Sequence, residues 1–362
     1  MTLSKGRRIL VVRNDKLGDF MLAWPALACL KRAHPGNRIS VLVPAYTAPL
    51  AECCPWIDEV ILDPGAEGTK AAQRALLERL RTGRFDALLT LFSTPRVGWL
   101  GWRARIPLRL APATKWAQVF YNRRVVQRRS RSARPEYRYN LELAESLLAA
   151  MHQSPPRVEP PYWPLAAETR RQERRGLAEE LNLDPACRWA FVHPGSGGSA
   201  VNLSLDQYAD LVTAIAESSD LESKWVLTFG PRERDAAQHL ADRLHARDIP
   251  AVLLPPRAGL TAFARSLAAA DLLIAGSTGP LHVAGCLDVP TVGFYPAKRS
   301  ATPLRWQTCN RETHRLAFSP PPGRDSETDM TRIDIPAAAA RIAEWWPTLP
   351  VAGDATSSPG AV

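Results

Sequence analysis

The stretch Asp271–Tyr295, DLLIAGSTGPLHVAGCLDVPTVGFY, decides the fold class. It opens on a short apolar run, DLLIA (Asp271–Ala275), breaks at a loop of small residues, and closes on a second run, PTVGFY (Pro290–Tyr295). The segment between them, Pro280–Cys286, carries proline just inside its start, where a helix tolerates it because first-turn N–H groups lack partners anyway. Strand, helix and strand in so short a span predict a βαβ unit, and such crossovers demand a parallel sheet covered by helices.

The same alternation extends in both directions. Upstream lie strands at RWAFV (Arg188–Val192), KWVLTF (Lys224–Phe229) and AVLL (Ala251–Leu254), with helices at Leu205–Glu217, Arg232–Ala246 and Leu260–Ala270 between them. Downstream comes an amphipathic helix, Pro336–Trp346, then a tail of small residues expected to be disordered. Nearer the N-terminus a second set repeats the pattern. It has strands at RILVVR (Arg8–Arg13), ISVLV (Ile39–Val43), EVIL (Glu59–Leu62) and FDALLTL (Phe85–Leu91), with helices from Trp24 and over Lys70–Arg81 and Tyr139–Met151. Five prolines in SPPRVEPPYWPL (Ser154–Leu165) mark a linker, and a charged helix, Ala166–Leu181, follows it. The reading is α/β: two doubly wound halves, residues 1–160 and 161–350, with a tail at 351–362. In such sheets ligands bind beyond the carboxyl ends of the strands, so the two halves are expected to face a shared cleft.

The chain is 362 residues long, 46% hydrophobic and 23% charged, which suits two globular domains. No apolar run approaches the roughly 20 residues of a membrane-spanning helix, and the N-terminus lacks the pattern of a secretory signal. Six cysteines show neither a CxxC pair nor zinc spacing, and read as reduced thiols of a cytoplasmic protein. The net charge is +10, and it is concentrated: from Arg96 to Arg138 twelve basic residues meet a single acid, Glu136. That segment implies a polyanionic partner, or else a solvated surface that keeps the chain soluble. Single-strand nucleic-acid recognition is disfavoured, because only Tyr121, Tyr137 and Tyr139 are interleaved as stacking platforms.

The strand-end loops carry the candidate chemistry. RNDKLGD (Arg13–Asp19) places Lys16, a flexible Gly18, and Asp15 and Asp19 after the first strand; Asp19 is either a helix N-cap or a general base. HPGSGGS (His193–Ser199) offers backbone amides and the Ser196 and Ser199 hydroxyls to a phosphate, or is simply a flexible loop. GSTGPLH (Gly276–His282) sets Ser277, Thr278 and the Gly279 amide around a helix N-terminus, where an anion is favoured, with His282 one turn on. Arg232, Arg234, Lys298 and Arg299 lie in two further loops, and three anion-suited loops in one half fit a nucleotide diphosphate. No carboxylate cluster suits a metal.

Together the segments RRILVVRNDKLGDFMLAWPALACLKRAHPGNRISVLV, HPGSGG with LSLDQYADLV, and ADLLIAGSTGPLHVAGCLDVPTVGFYP resemble glycosyltransferase family 9, the lipopolysaccharide heptosyltransferases. The resemblance runs from about Arg8 to Trp306 and leaves Arg96–Arg138 unaligned. It implies the GT-B fold, two Rossmann-like domains facing a cleft, and inverting, metal-independent transfer of a heptose from ADP-heptose. The implied acceptor is an acidic glycolipid, the lipid A–Kdo core, reached from the cytoplasmic face of the inner membrane. No cofactor or nucleic acid is implied. By the same resemblance Asp19 is the base. Gly18, Gly195, Ser196, Ser277, Thr278, Gly279, His282 and Lys298 surround the donor, while Lys16, Arg123 and Arg124 meet the acceptor. Two positions depart from the family pattern: Ser277 replaces the usual acid, and Val201 and Asn202 stand where a basic residue is usual. Lys16, Arg232 or Lys298 then supplies the cation, or the donor differs. The alternatives are a transferase or epimerase for another nucleotide sugar, and a degenerate member that binds polyanions.

Overall fold

The computed structural model describes residues 5–113, 116–198, 201–218, 221–323 and 325–351. Lys115, Ser199 and the tail beyond Val351 therefore lie outside the described residues. The chain divides into two compact units, Met1–Tyr162 and Trp163–Val362.

The first unit runs β1 (Arg8–Val12), α1 (Leu17–Met21), α2 (Trp24–Arg32), β2 (Arg38–Val43), α3 (Ala48–Glu52), β3 (Glu59–Leu62), α4 (Lys70–Thr82) and β4 (Ala87–Thr90). It continues through α5 (Pro95–Arg103), β5 (Leu108–Pro112), β6 (Arg123–Val125) and α6 (Glu136–Ala150). The second unit runs α7 (Ala167–Leu181), β7 (Arg188–His193), α8 (Leu205–Ser218), β8 (Ser223–Leu227), α9 (Arg234–His245), β9 (Ala251–Leu253) and α10 (Gly259–Ser266). After these come β10 (Leu272–Gly276), α11 (Gly279–Leu287), β11 (Thr291–Phe294), α12 (Pro303–Trp306), β12 (Arg315–Phe318) and α13 (Ile335–Trp345).

Each unit holds one six-stranded sheet, ordered β3-β2-β1-β4-β5-β6 and β12-β11-β10-β7-β8-β9. All strand pairs are parallel. Read from either end, both are the Rossmann order, and each reverses direction beside its first strand: between β1 and β4, and between β7 and β10. Strands in such sheets are covered on both faces, so they read as unbroken apolar runs rather than alternating ones. RILVV and LLIAG are buried from their second and first residues onward. Surface helices need only a stripe: α4 buries Leu76 and Leu80 and starts at Thr69, whose hydroxyl accepts the Ala72 amide at 3.2 Å.

Several sequence expectations change. The loop after β1 is shorter than its polarity suggests: Leu17–Met21 is helical, so Asp19 lies inside α1 rather than capping it, and the N-cap position belongs to Lys16. Gly18 is helical too, so no tight turn depends on it. Within the basic segment α5, β5 and β6 carry Arg96, Arg103, Arg109, Arg123 and Arg124, while Val97, Leu100, Leu110 and Ala111 fill the core. α6 begins at Glu136, three residues ahead of the reading, and β12 is an additional edge strand. Helix α2 starts at Trp24 with Pro25 in its first turn, as the sequence indicates.

A buried ion pair docks α7 on its sheet. Arg174, 5% exposed, donates to Asp271 at 2.9 Å and to the carbonyls of Ala269 at 2.8 Å and Cys187 at 2.6 Å, with its guanidinium 4.4 Å from the Trp189 ring centre. Asp271 also accepts the Trp189 amide at 2.8 Å. Truncating one partner strands the other's charge in the interior. Arg174→Ala is expected to lower unfolding free energy by about 3–5 kcal/mol, read from the urea midpoint.

Candidate active site

In the first unit the site is organised by Arg13, which directly follows β1 and is 3% exposed. A guanidinium at that depth requires partners for its charge and its N–H groups. Its Nε lies 2.8 Å from an Asp15 carboxylate oxygen and one terminal nitrogen 2.5 Å from Asp19 Oδ1. The other terminal nitrogen reaches Glu136 at 3.3 Å and Asn140 Oδ1 at 3.4 Å. Glu136, at the first position of α6, also takes Arg129 at 2.8 Å. The cluster thus joins the end of β1 to the start of α6 across the sheet's reversal point.

Asp19 keeps its side chain 15% exposed. Burial lifts its pKa above the ordinary aspartate value; Arg13 opposes that shift and the charge of Glu136 adds to it. Burial likewise pushes Asp15 up to about 6 against the pull of Arg13. A carboxylate moved toward neutrality is a stronger base, and Arg13 holds its orientation.

The other first-unit residues read from the sequence are less tightly placed. Lys16 is exposed beside Asp19 and its charge acts on that carboxylate. Arg123 and Arg124 are exposed on edge strand β6, three strand positions from β1, or roughly 14 Å across the sheet. Arg129, not they, reaches the Asp19 cluster. Arg96 is spent on Asp63, whose carboxyl stays below its usual range, despite burial, through hydrogen bonds from Arg96 and Asn14. Arg109 donates to the carbonyls of Phe120 and Ile106.

In the second unit β7 pairs with β10, with Ala275 opposite His193, so the HPG loop and the Ser277–Thr278 loop emerge side by side. Thr278 is the N-cap residue of α11, 4% exposed, yet its hydroxyl makes no cap bond and has no partner. One turn on, His282 is 3% exposed, its Nδ1 also unpartnered, and burial pushes its pKa down to about 4, so the ring is neutral. Ser277 and Gly279 flank this helix end and are half-buried. Buried polar atoms without partners are costly, and here two belong to the first turn of a helix, where the positive end of the dipole favours an anion.

The HPG loop differs from its reading. Its amides do not face an empty anion pocket, because the Glu233 carboxylate occupies them: Gly197 donates at 2.6 Å and Gly230 at 2.9 Å. Those bonds hold Glu233 below its usual range although burial works against it. A Cβ on Gly195 would meet the Glu233 carboxylate at 2.0 Å, so this glycine makes room for an internal anion. Ser196 is half-buried at the rim. Glu233 lies within FGPRERD (Phe229–Asp235) between Arg232 and Arg234, and residue order alone does not mark it as the carboxylate that enters this loop. His193 turns inward to Thr228 Oγ1 at 3.0 Å and is pushed down to about 4 by burial. Asn202, where the family pattern has a cation, donates to the Pro194 carbonyl at 2.8 Å and packs against Gly276, whose Cβ would clash with it at 2.4 Å. The position has become a brace between the two loops. Lys298 and Arg232 are exposed, with no ion pair among the described residues. No group of three or more His, Cys, Asp or Glu among the described residues is arranged to hold a metal ion.

The orphaned Thr278 hydroxyl yields a test. A structural threonine supports the fold, whereas one reserved for a ligand does not. Thr278→Val keeps the shape and removes an unpaired polar atom, so unfolding free energy without ligand is expected to stay level or rise by about 1 kcal/mol, measured by urea denaturation.

Comparison with known proteins identifies the family and the fold. The model of glycosyltransferase family 9 (heptosyltransferase) matches residues 73–316. A Haemophilus influenzae protein, assigned by its name to the glycosyltransferases without a substrate, is 44% identical over 335 residues, covering 92% of this chain and 95% of that one. Lipopolysaccharide heptosyltransferase 2 of Salmonella typhimurium is 24% identical over 305 residues, covering 82% and 85%. Among solved structures, E. coli ADP-heptose lipopolysaccharide heptosyltransferase II superposes with a TM-score of 0.73 at 18% identity, covering 94% and 98%. E. coli heptosyltransferase WaaC with ADP gives 0.70 at 19%, covering 93% and 99%. The fold is that of the GT-B heptosyltransferases, and the chain belongs to glycosyltransferase family 9.

Proposed function

We propose that the protein transfers a heptose, with inversion, from ADP-heptose to a hydroxyl of an acidic lipopolysaccharide core acceptor, lipid A–Kdo, at the cytoplasmic face of the inner membrane. The first unit takes the acceptor and the second the donor. The observation that carries the reading is Asp19: a carboxylate in the first turn of α1, just beyond β1, oriented by a buried arginine and raised in pKa by burial. Two structures of E. coli WaaC support the donor, since one is with ADP and the other with ADP-2-deoxy-2-fluoro heptose.

In this reading Asp19 takes the proton of the acceptor hydroxyl as its oxygen bonds to the anomeric carbon. The bond from that carbon to the diphosphate breaks on the opposite side, and ADP leaves with the electron pair. Charge on the departing diphosphate is met by the Gly279 and Leu281 amides in the first turn of α11 and by the Thr278 hydroxyl. Neutral His282 adds a polar contact without a charge of its own. With Asn202 committed to the Pro194 carbonyl, Lys298 and Arg232 are the cations left free to approach from the second unit, and Ser196 stands at the edge of the same loops. Lys16, Arg123 and Arg124 offer positive charge to the acceptor's acidic groups. Among the described residues no helix is long and apolar enough to cross a membrane, so the lipid acceptor would be met at the bilayer surface.

General-base assistance of this kind is worth about 10²–10⁴-fold. Asp19→Asn is expected to lose turnover on that scale while ADP still raises the melting temperature; turnover equal to the parent would remove the assignment. On the acid side kcat/KM should fall with a midpoint above the ordinary aspartate pKa. Glu136→Gln should move that midpoint down, because it removes a nearby negative charge and leaves Arg13 more fully engaged with Asp19. A nucleotide panel tests the donor: ADP should stabilise the native state more than UDP or GDP by mass action, and Thr278→Val should shrink that shift. An equal response to all three would point to a different donor.

A further inference from the structure

Helix α5 has two dissimilar faces. Val97, Gly98, Leu100 and Gly101 are buried, while Trp99 and Trp102, one turn apart on the opposite side, are 41% and 52% exposed. The turn at Trp116–Phe120 extends this outer surface. A Cβ on Gly98 would meet Phe120 at 2.9 Å, the Phe120 ring lies 6.4 Å from that of Trp102, and neighbouring Val119 is 70% exposed. Contiguous apolar surface of this kind marks an interaction site.

The rim of the patch is basic. Arg103 and Arg105 are exposed at the end of α5, Arg81 of α4 donates to the Arg103 carbonyl at 3.3 Å, and Arg123 and Arg124 are exposed on the edge strand after the turn. The one acid of this segment, Glu136, is buried against Arg13 and Arg129, Asp63 is buried against Arg96 of α5, and Glu78 lies 3.8 Å from Arg81. We propose that this face of the first unit rests on an anionic lipid bilayer. Trp99 and Trp102 lie among the headgroups, where amphipathic indole rings are favoured. The surrounding arginines bind lipid phosphates, as basic residues do on the polar rim of an interfacial helix. A second copy of the chain is the weaker fit, because a twofold contact would set the same arginines against each other. The inference gives a location to the membrane contact of the proposed function and rests on that reading only for its biological purpose.

The test is co-sedimentation of the full chain with vesicles of phosphatidylcholine alone and of phosphatidylcholine with phosphatidylglycerol, without donor or acceptor, so that the transfer reaction stands or falls separately. The parent should bind the anionic vesicles preferentially. Trp99→Ala with Trp102→Ala should weaken that partition about tenfold. Arg103→Glu should weaken it at least fivefold and remove the preference for anionic lipid. Leu304→Ala, another exposed apolar residue in the second unit, should change nothing. Melting curves check that each variant folds, and the arginine variant decides the matter if the tryptophan pair does not. Absence of binding to either vesicle, equal binding to both, or a dimer abolished with the tryptophans would each overturn the proposal.

Discussion

Where a parallel sheet reverses its strand order, the connections on either side leave for opposite faces, and the loops between them are left without a neighbour to pack on. This constraint governs the molecule twice. In the first sheet the reversal lies between β1 and β4, and in the second between β7 and β10. Asp19, Ser196, Thr278 and His282 stand there, in the loops and helix starts that follow β1, β7 and β10. Side chains elsewhere in the sheets have already been used to bury one another.

The two reversal points solve different electrostatic problems. In the first unit Arg13 is committed to Asp15, Asp19 and Glu136, and Arg129 supports Glu136 from outside. Such a cluster is stiff, because moving any one member leaves a charge unpaired in a low-dielectric setting. Stiffness suits a base, whose lone pair must point one way. In the second unit the HPG amides are closed off by Glu233, and Asn202 ties that loop to the end of β10. What remains open is the N-terminus of α11, where Thr278 and His282 hold polar atoms in reserve. One unit is organised around charges it already contains, and the other leaves polar atoms unpartnered at a helix N-terminus, which suits the diphosphate of the proposed donor.

The basic segment shows how folding redistributes a compositional feature. Arg96, Arg109 and Arg129 are turned inward onto a carboxylate or carbonyls, where they brace the first unit. Arg103, Arg105, Arg123, Arg124, Arg128 and Arg131 stay exposed. A single block of charge in the chain therefore becomes a structural set and a surface set, with an aromatic ridge beside the second. Net charge predicts an attraction to polyanions; only the fold says which arginines remain free to exert it.

The sequence alone determined the class of fold and the loops that matter, because both depend on local pattern: apolar runs of strand length, helical periodicity between them, and small or acidic residues where each run stops. DLLIAGSTGPLH and RILVVRNDKLGD carry that information within a dozen residues each. What lay beyond it was contact between distant segments. Glu136 meets Arg13 across more than 120 positions, Glu233 enters a loop 36 residues upstream, and Asn202 fills the space that Gly276 leaves empty. The strands β5 and β6 were masked for a related reason: Arg109 interrupts the apolar pattern of one and Arg123 and Arg124 that of the other, and what makes them strands is pairing with a neighbour. Pairing partners, and the pKa shifts that burial and charge produce, are properties of the packed state and have no signature in residue order.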